Sequence, residues 1–281
     1  MKRVLITGAN SYIGDSVARF LRDDASSDYA VEAVDMIDGA WRQWDFHGYD
    51  AVFHVAGIAH QKETAAKAPL YYKVNCDLAV ETARKAKEAG VPQFIFLSSM
   101  SIYGKDTGTI SSDTVPEPIS HYGKSKWQAE RNLSLLADDA FKVAVLRPPM
   151  VYGKGCKGNF QAVLKLARAL PVFPLVANRR SMIFIDNLCS FVKRVIDGRE
   201  GGVFFPQNRE YMQTTQMVQW LGEAMGKRIA PSRILGWLVR ICMPFSKKLR
   251  KAFGTLVYEG CEAFGFSYCV SGNEESVKSS L

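Results

Sequence analysis

The first half of the chain alternates short apolar runs with stretches whose apolar positions recur every three to four residues. Val4-Leu5-Ile6-Thr7-Gly8 is apolar and ends in turn residues, which predicts a buried strand at 3–7. A helical pattern over 12–23 follows, and then a strand at 30–35. Ala51-Val52-Phe53-His54-Val55 marks a third buried strand. An amphipathic helix over 69–89 is stopped by Gly90-Val91-Pro92. Strand 93–97, helix 120–137 and strand 141–146 continue the alternation, which predicts an α/β fold with a parallel sheet covered on both faces. Beyond Arg147 the spacing becomes irregular: helix 159–169, a short strand at 182–185, then helices 187–197 and 214–226. This predicts two domains, 1–152 and a smaller, interleaved 153–281, with part of 181–198 returning to the first.

Composition narrows the setting. No apolar run approaches the roughly 18 residues that span a bilayer, and the N-terminus runs straight into a strand rather than a signal peptide. The six cysteines are scattered without a Cys-x-x-Cys pair, so neither a metal cluster nor a disulfide framework is expected, and reduced thiols fit a cytoplasmic protein. The formal charge of +8, with no nucleic-acid-binding motif, points to phosphorylated small molecules.

The turn Thr7-Gly8-Ala9-Asn10-Ser11-Tyr12-Ile13-Gly14 lies between the first strand and first helix. Small residues there let the backbone approach a pyrophosphate, and the helix start offers free N–H groups and a positive dipole end. The middle glycine of such turns is here Ser11; a positive φ at that position would cost on the order of 1 kcal/mol, which its hydroxyl could offset on a phosphate. The second strand ends in Asp35, whose carboxylate can accept from both ribose hydroxyls and repels a 2′-phosphate. The cofactor implied is NAD.

Tyr122 and Lys126 stand four residues apart, so both project from one helix face. A free phenol titrates near pH ~10; a cation one turn away favours the phenolate and yields a usable base. Ala56-Gly57 ends the third strand beside the expected cofactor, and Asn75 lies near the start of helix 69–89. Asp45 could reach the adenine edge, whereas His54, inside its apolar run, reads as a core histidine.

With Ser98-Ser99 before Ile102-Tyr103-Gly104, and Arg147-Pro148-Pro149-Met150-Val151-Tyr152-Gly153, the chain resembles an extended short-chain dehydrogenase/reductase of the nucleotide-sugar epimerase/dehydratase group. The resemblance implies a Rossmann-type doubly wound sheet and a catalytic trio of Ser99, Tyr122 and Lys126. It implies that Gly8, Ser11, Tyr12, Ile13, Gly14, Asp35, Asp45, Ala56, Gly57, Asn75, Tyr122, Lys126 and Pro149 hold NAD, and that Ser99, Ser101, Tyr122, Asn159 and Arg180 hold the nucleotide sugar. In that family Tyr122 would move the proton, Lys126 would hold the nicotinamide ribose, and Ser99 would bond the reacting oxygen. Related 4,6-dehydratases resemble one another in an acidic pair after the serine; here those positions are Met100 and Ser101, which favours epimerisation, most plausibly at C4, or reduction of a 4-keto sugar. Met150 stands where many UDP-hexose epimerases carry a substrate-contacting asparagine, and the Arg-Pro-Pro segment resembles relatives from surface-polysaccharide and amino-sugar pathways. A homodimer is implied, packed across the helices carrying Asn75 and Tyr122. A non-enzymatic dinucleotide sensor on this fold would have no need of the trio.

Residues 232–253 join an apolar half centred on Trp237 to Lys247-Lys248-Leu249-Arg250-Lys251. Such a helix could lie on an anionic membrane surface. Because Pro244 divides the stretch and a small domain needs apolar helices for its core, the expectation is a helix packed under the substrate domain, a solvated basic turn, and a soluble enzyme without stable membrane insertion.

Asp35 generates the first prediction. Calorimetric titration should show NAD binding more tightly than NADP, and Asp35→Ala should narrow the gap by removing the carboxylate that faces a 2′-phosphate. Equal affinities in the unaltered protein would take Asp35 out of the cofactor site.

Overall fold

The computed structural model describes residues 1–23, 29–59, 63–260 and 265–281. They divide into two compact units: 1–104, 115–148 and 188–206 in the first, and 105–114, 149–187 and 207–281 in the second.

In the first unit six strands form one parallel sheet: β1 (Lys2–Thr7), β2 (Tyr29–Val34), β3 (Ala51–His54), β4 (Gln93–Leu97), β5 (Lys142–Leu146) and β6 (Gly202–Phe204). Their order is β6-β5-β4-β3-β1-β2. Val4, Leu5 and Ile6 of β1 and Phe94, Ile95 and Phe96 of β4 are fully buried, as strands covered on both faces require. The helices α1 (Tyr12–Asp23), α2 (Leu78–Glu88), α3 (His121–Ser134) and α4 (Ile185–Gly198) accompany them, α4 joining this unit from Leu188 onward. The helix expected over 69–89 is not continuous: Ala68–Tyr72 enters α2 through a π-helical turn, Lys73–Asp77, in which Asn75 and Cys76 are buried. The sixth strand escaped the sequence pattern because three residues, one of them glycine, show no period.

The sheet order reverses at β1, whose two neighbours are β2 and β3. Ligands of doubly wound sheets lie in the crevice where the order reverses, at the carboxyl ends of the strands. Here Thr7 stands opposite both Val34 and His54, and its carbonyl accepts from the N–H groups of Val55 (3.0 Å) and Ala56 (2.9 Å).

The second unit is built on short parallel pairs: Met150–Tyr152 with Met182–Phe184, Gly108–Ile110 with Leu256–Tyr258, and Val172–Pro174 with Ala230–Ser232. A buried polar cluster fastens it. Asn208 donates to Tyr152 Oη (2.8 Å) and Asn273 Oδ1 (2.8 Å) and accepts from Phe184 N–H, while Tyr152 Oη and Ser276 Oγ are 2.6 Å apart. The sequence expectation for residues 232–253 needs correction. Helix Arg233–Cys242 buries Gly236 alone, set so tightly against Leu175 that a Cβ would stand 2.1 Å from its carbonyl oxygen, and Ile234, Trp237 and Phe245 are exposed. The basic stretch is not a turn but a second helix, Lys247–Phe253, capped by Ser246.

One buried network ties the first unit together at the strand ends. Glu130 on α3 accepts from Arg147 Nε (3.0 Å) and Nη2 (2.6 Å), just past β5, and from Ser98 Oγ, just past β4. Arg147 Nη1 also donates to Tyr103 Oη (2.7 Å). Removing one partner of such a pair leaves a buried charge uncompensated, at a cost of about 3–5 kcal/mol. Arg147→Met should therefore lower the midpoint of chemical unfolding strongly, and Arg147→Met combined with Glu130→Met should be less damaging than the single change. A double variant less stable than the single one would show that the pair is not coupled as described.

Candidate active site

The glycine turn is shaped differently from the sequence expectation. The positive φ angles fall on Gly8 (113°) and Asn10 (64°), not on Ser11, so serine carries no such strain. Asparagine tolerates the left-handed region. The Ser11 hydroxyl donates to Gly8 O (2.6 Å) and accepts from Gly14 N–H (3.2 Å), so it caps α1. A Cβ on Gly8 would come 2.7 Å from Ala56 N, which shows how closely the turn lies on the loop after β3. Tyr12 and Ile13 open α1, both half-buried. Asp35 is exposed just past β2, with Oδ1 accepting from Ile37 N–H (2.9 Å).

Gly57 continues the same rim. A Cβ there would stand 3.0 Å from Asn75 Oδ1 and 3.3 Å from Lys126 Nζ, so only glycine leaves that space open. Asn75 holds the rim: Oδ1 accepts from Ile58 N–H (2.8 Å), and Nδ2 donates to Ile58 O (3.2 Å) and Ser125 Oγ (3.1 Å) of α3. A helix N-terminus for a pyrophosphate, a carboxylate at a strand end for ribose hydroxyls, and backbone kept bare by Gly8 and Gly57 fit a dinucleotide.

Ser99, Tyr122 and Lys126 are gathered beside this rim. Ser99, extended after β4, caps the 3₁₀ turn Met100–Tyr103; its hydroxyl accepts from Ser101 N–H (3.1 Å) and donates to Ser101 Oγ (3.1 Å). Burial raises the Tyr122 phenol above its ordinary pKa, a hydrogen bond with the Ser99 side chain pulls it back, and nearby Tyr71 pushes it up again. Lys126 is buried on the same face of α3 and donates to Leu97 O (2.8 Å), its Nζ lying 4.6 Å from the Phe96 ring centre. Burial lowers its pKa to about 8, opposed by Glu130. The Lys126 ammonium turns to the end of β4, and the Ser99 side chain is the neighbour that pulls the phenol down.

Two neighbours escaped the sequence reading. Glu63 accepts from the N–H groups of His121 (3.0 Å) and Tyr122 (3.1 Å), supplying a negative charge at the start of α3. Glu130, four residues beyond Lys126, was legible only as a charged residue on an otherwise buried helix face. His54 is a core histidine: Nδ1 lies 2.7 Å from Thr7 Oγ1, the ring stacks on Phe94 and Phe96, and burial with the Lys126 cation depresses its pKa to about 3.

The other expected residues stand apart in character. Asp45 is exposed and engaged by His47 through its backbone N–H (3.0 Å) and ring Nδ1 (2.6 Å). Ser101 is exposed beside Ser99. In the second unit, Pro149 is buried and Asn159 is exposed at the start of helix Asn159–Ala169, whose cap is Gly158. Arg180 is half-buried; it donates to Gly254 O (2.9 Å), and burial lowers its pKa against the pull of Asp106. Its neighbours Asn178 and Ser181 are spent on Thr214 and on Gln207 and Tyr258, so the Asn178–Ser181 segment offers only its arginines to a ligand.

The chain is similar to known proteins. The model of a family described as the NAD dependent epimerase/dehydratase family matches residues 4–204. The chain is 31% identical over 253 residues to a UDP-glucose 4-epimerase of Vibrio cholerae, covering 80% of this chain and 76% of that one. It is 24% identical over 271 residues to an N-acetyl-alpha-D-glucosaminyl-diphospho-ditrans,octacis-undecaprenol 4-epimerase of Escherichia coli O157:H7, covering 88% and 80%. A solved UDP-glucuronic acid 4-epimerase from Bacillus cereus, in complex with NAD, superimposes with a TM-score of 0.76 at 18% identity, over 99% of this chain and 95% of that one.

The raised phenol yields a titration test. In the cofactor-free protein, the phenolate absorbance difference between the unaltered chain and Tyr122→Phe should develop only above pH ~10. Ser99→Ala should push that titration higher still, because the bond favouring the phenolate is gone. A Tyr122 signal emerging near neutral pH would overturn this account of what tunes the phenol.

Proposed function

The chain belongs to the NAD dependent epimerase/dehydratase family and is thus an enzyme, and on that premise we propose that it inverts C4 of a UDP-hexose or UDP-N-acetylhexosamine by transient oxidation to the 4-keto sugar. The observation that carries the reading is the gathering of Ser99 and Tyr122 with Lys126, whose Nζ lies against Gly57 on the rim, and with Met100 and Ser101 in place of an acidic pair. NAD, when bound, supplies the hydride acceptor. Asp35 and the start of α1 hold its ribose and pyrophosphate, and Gly8 and Gly57 keep the approach open. Ser99 holds the sugar oxygen, and Tyr122 takes its proton and later returns it. Lys126 places a buried cation where the departing proton leaves negative charge, and its pKa of about 8 keeps it mostly charged at neutral pH. Without a carboxylate beside Ser99, elimination of water lacks its acid. The similarity to the Vibrio cholerae enzyme supports the choice of C4 and of a UDP-sugar.

We extend the proposal to Asn159 and Arg180 as diphosphate contacts, to a place in surface-polysaccharide or amino-sugar synthesis, and to a homodimer packed on α2 and α3. The outward residues of those helices, Glu81, Arg84, Gln128 and Arg131, are exposed and carry both signs of charge, which a self-complementary twofold face can pair.

Incubation with UDP-glucose and UDP-N-acetylglucosamine, followed by chromatographic separation of the epimers, tests the reading. Turnover of at least one is expected, and Tyr122→Phe should reduce it by roughly 10²–10⁴-fold while leaving NAD affinity nearly unchanged. Retention of more than about a tenth of the activity would remove Tyr122 from proton transfer. Stoichiometric consumption of NADH with a 4-keto sugar nucleotide, without epimerisation, would make the enzyme a reductase. NAD binding with neither reaction would favour a sensor.

A further inference from the structure

Helix Arg233–Cys242 carries its apolar stripe on the wrong side for a core. At 100° per residue, Ile234, Leu235, Trp237, Leu238 and Ile241 occupy an arc of about 160°, and Gly236 lies roughly opposite its centre. Gly236 is the buried residue, its backbone against Leu175. Surface helices ordinarily turn their apolar face inward, but this one turns it outward. Ile234 is 75% exposed, Trp237 62% and, past the helix end, Phe245 89%. An outward apolar face of this size marks an interaction surface.

Charge identifies the partner. Residues 233–253 contain Arg233, Arg240, Lys247, Lys248, Arg250 and Lys251 and no Asp or Glu, so they hold +6 of the formal +8 and leave +2 for the rest of the chain. Lys251 lies 3.8 Å from Asp106, and Arg250 Nη1 donates to Pro244 O. A second copy of the same face would set six cations against six across a twofold. An anionic surface has the opposite sign and also accepts apolar side chains.

We propose that the face formed by helix Arg233–Cys242, Phe245 and helix Lys247–Phe253 docks on an anionic phospholipid bilayer. Ile234, Leu238, Ile241 and Phe245 enter the acyl boundary, Trp237 sits at headgroup depth, and the cations meet the lipid phosphates. The contact is peripheral, because no helix among the described residues is long and apolar enough to cross a membrane. It shares no residue with the proposed catalytic set, so it stands or falls apart from the epimerase reading.

Sedimentation of the full chain with phosphatidylcholine vesicles, with and without phosphatidylglycerol, is the test. Partition onto the anionic vesicles should exceed that onto neutral ones by at least about tenfold and fall as salt is raised. Lys247→Glu with Lys248→Glu, and separately Trp237→Ser with Phe245→Ser, should each cut it about tenfold with an unchanged thermal midpoint, since all four residues are exposed. Trp237→Phe should keep binding but lose the vesicle-induced fluorescence blue shift, which a merely unfolded variant would not do. Absent or charge-independent partition, or variants binding like the original, would overturn the proposal. So would self-association abolished by Trp237→Ser without vesicle binding, which would make the occupant a second copy.

Discussion

The first unit depends on one buried ion pair, Glu130 with Arg147, placed where three elements meet. Ser98 follows β4, Arg147 follows β5 and Glu130 lies on α3, and no two of these are close in sequence. Two charges taken out of water are favourable only if their remaining hydrogen-bonding capacity is filled. Ser98 and Tyr103 do that here. The consequence is positional: Ser99 follows Ser98 directly, and Lys126 sits one turn before Glu130. The network therefore fixes both sides of the candidate site with groups that need never touch a substrate.

The same burial decides protonation. His54, Lys126 and Tyr122 share a region of low polarity, and in each the charged form is disfavoured by loss of water. His54 stays neutral, Lys126 holds its proton less tightly than a surface lysine, and Tyr122 resists ionisation. Glu130 and Ser99 act in the other direction, on Lys126 and Tyr122 respectively. In both groups desolvation is set against a specific partner.

The second unit solves a different problem. Its strands are three-residue pairs that cannot build a large sheet, so a polar cluster around Asn208 and Tyr152 fastens them. Helix Arg233–Cys242 contributes little to that core and instead carries its apolar side chains outward, next to most of the chain's net positive charge.

What the sequence determined by itself was whatever local periodicity and turn chemistry encode. The five longer central strands, α1, α3 and helix Asn159–Ala169 were legible because each repeats its pattern over several residues, and the Gly8-to-Gly14 turn, Asp35 and the Tyr122–Lys126 spacing because each is a short-range feature. What only the tertiary structure decided depends on partners distant in the chain. Positive φ fell on Gly8 and Asn10, while Ser11 became the cap of α1. Lys126 turned to Leu97, and Glu63 reached the start of α3 from 58 residues away. The helix at 233–242 had an unmistakable apolar stripe, yet which side of it faces water was settled by a glycine pressed against Leu175, because periodicity fixes which residues share a face and not what that face meets.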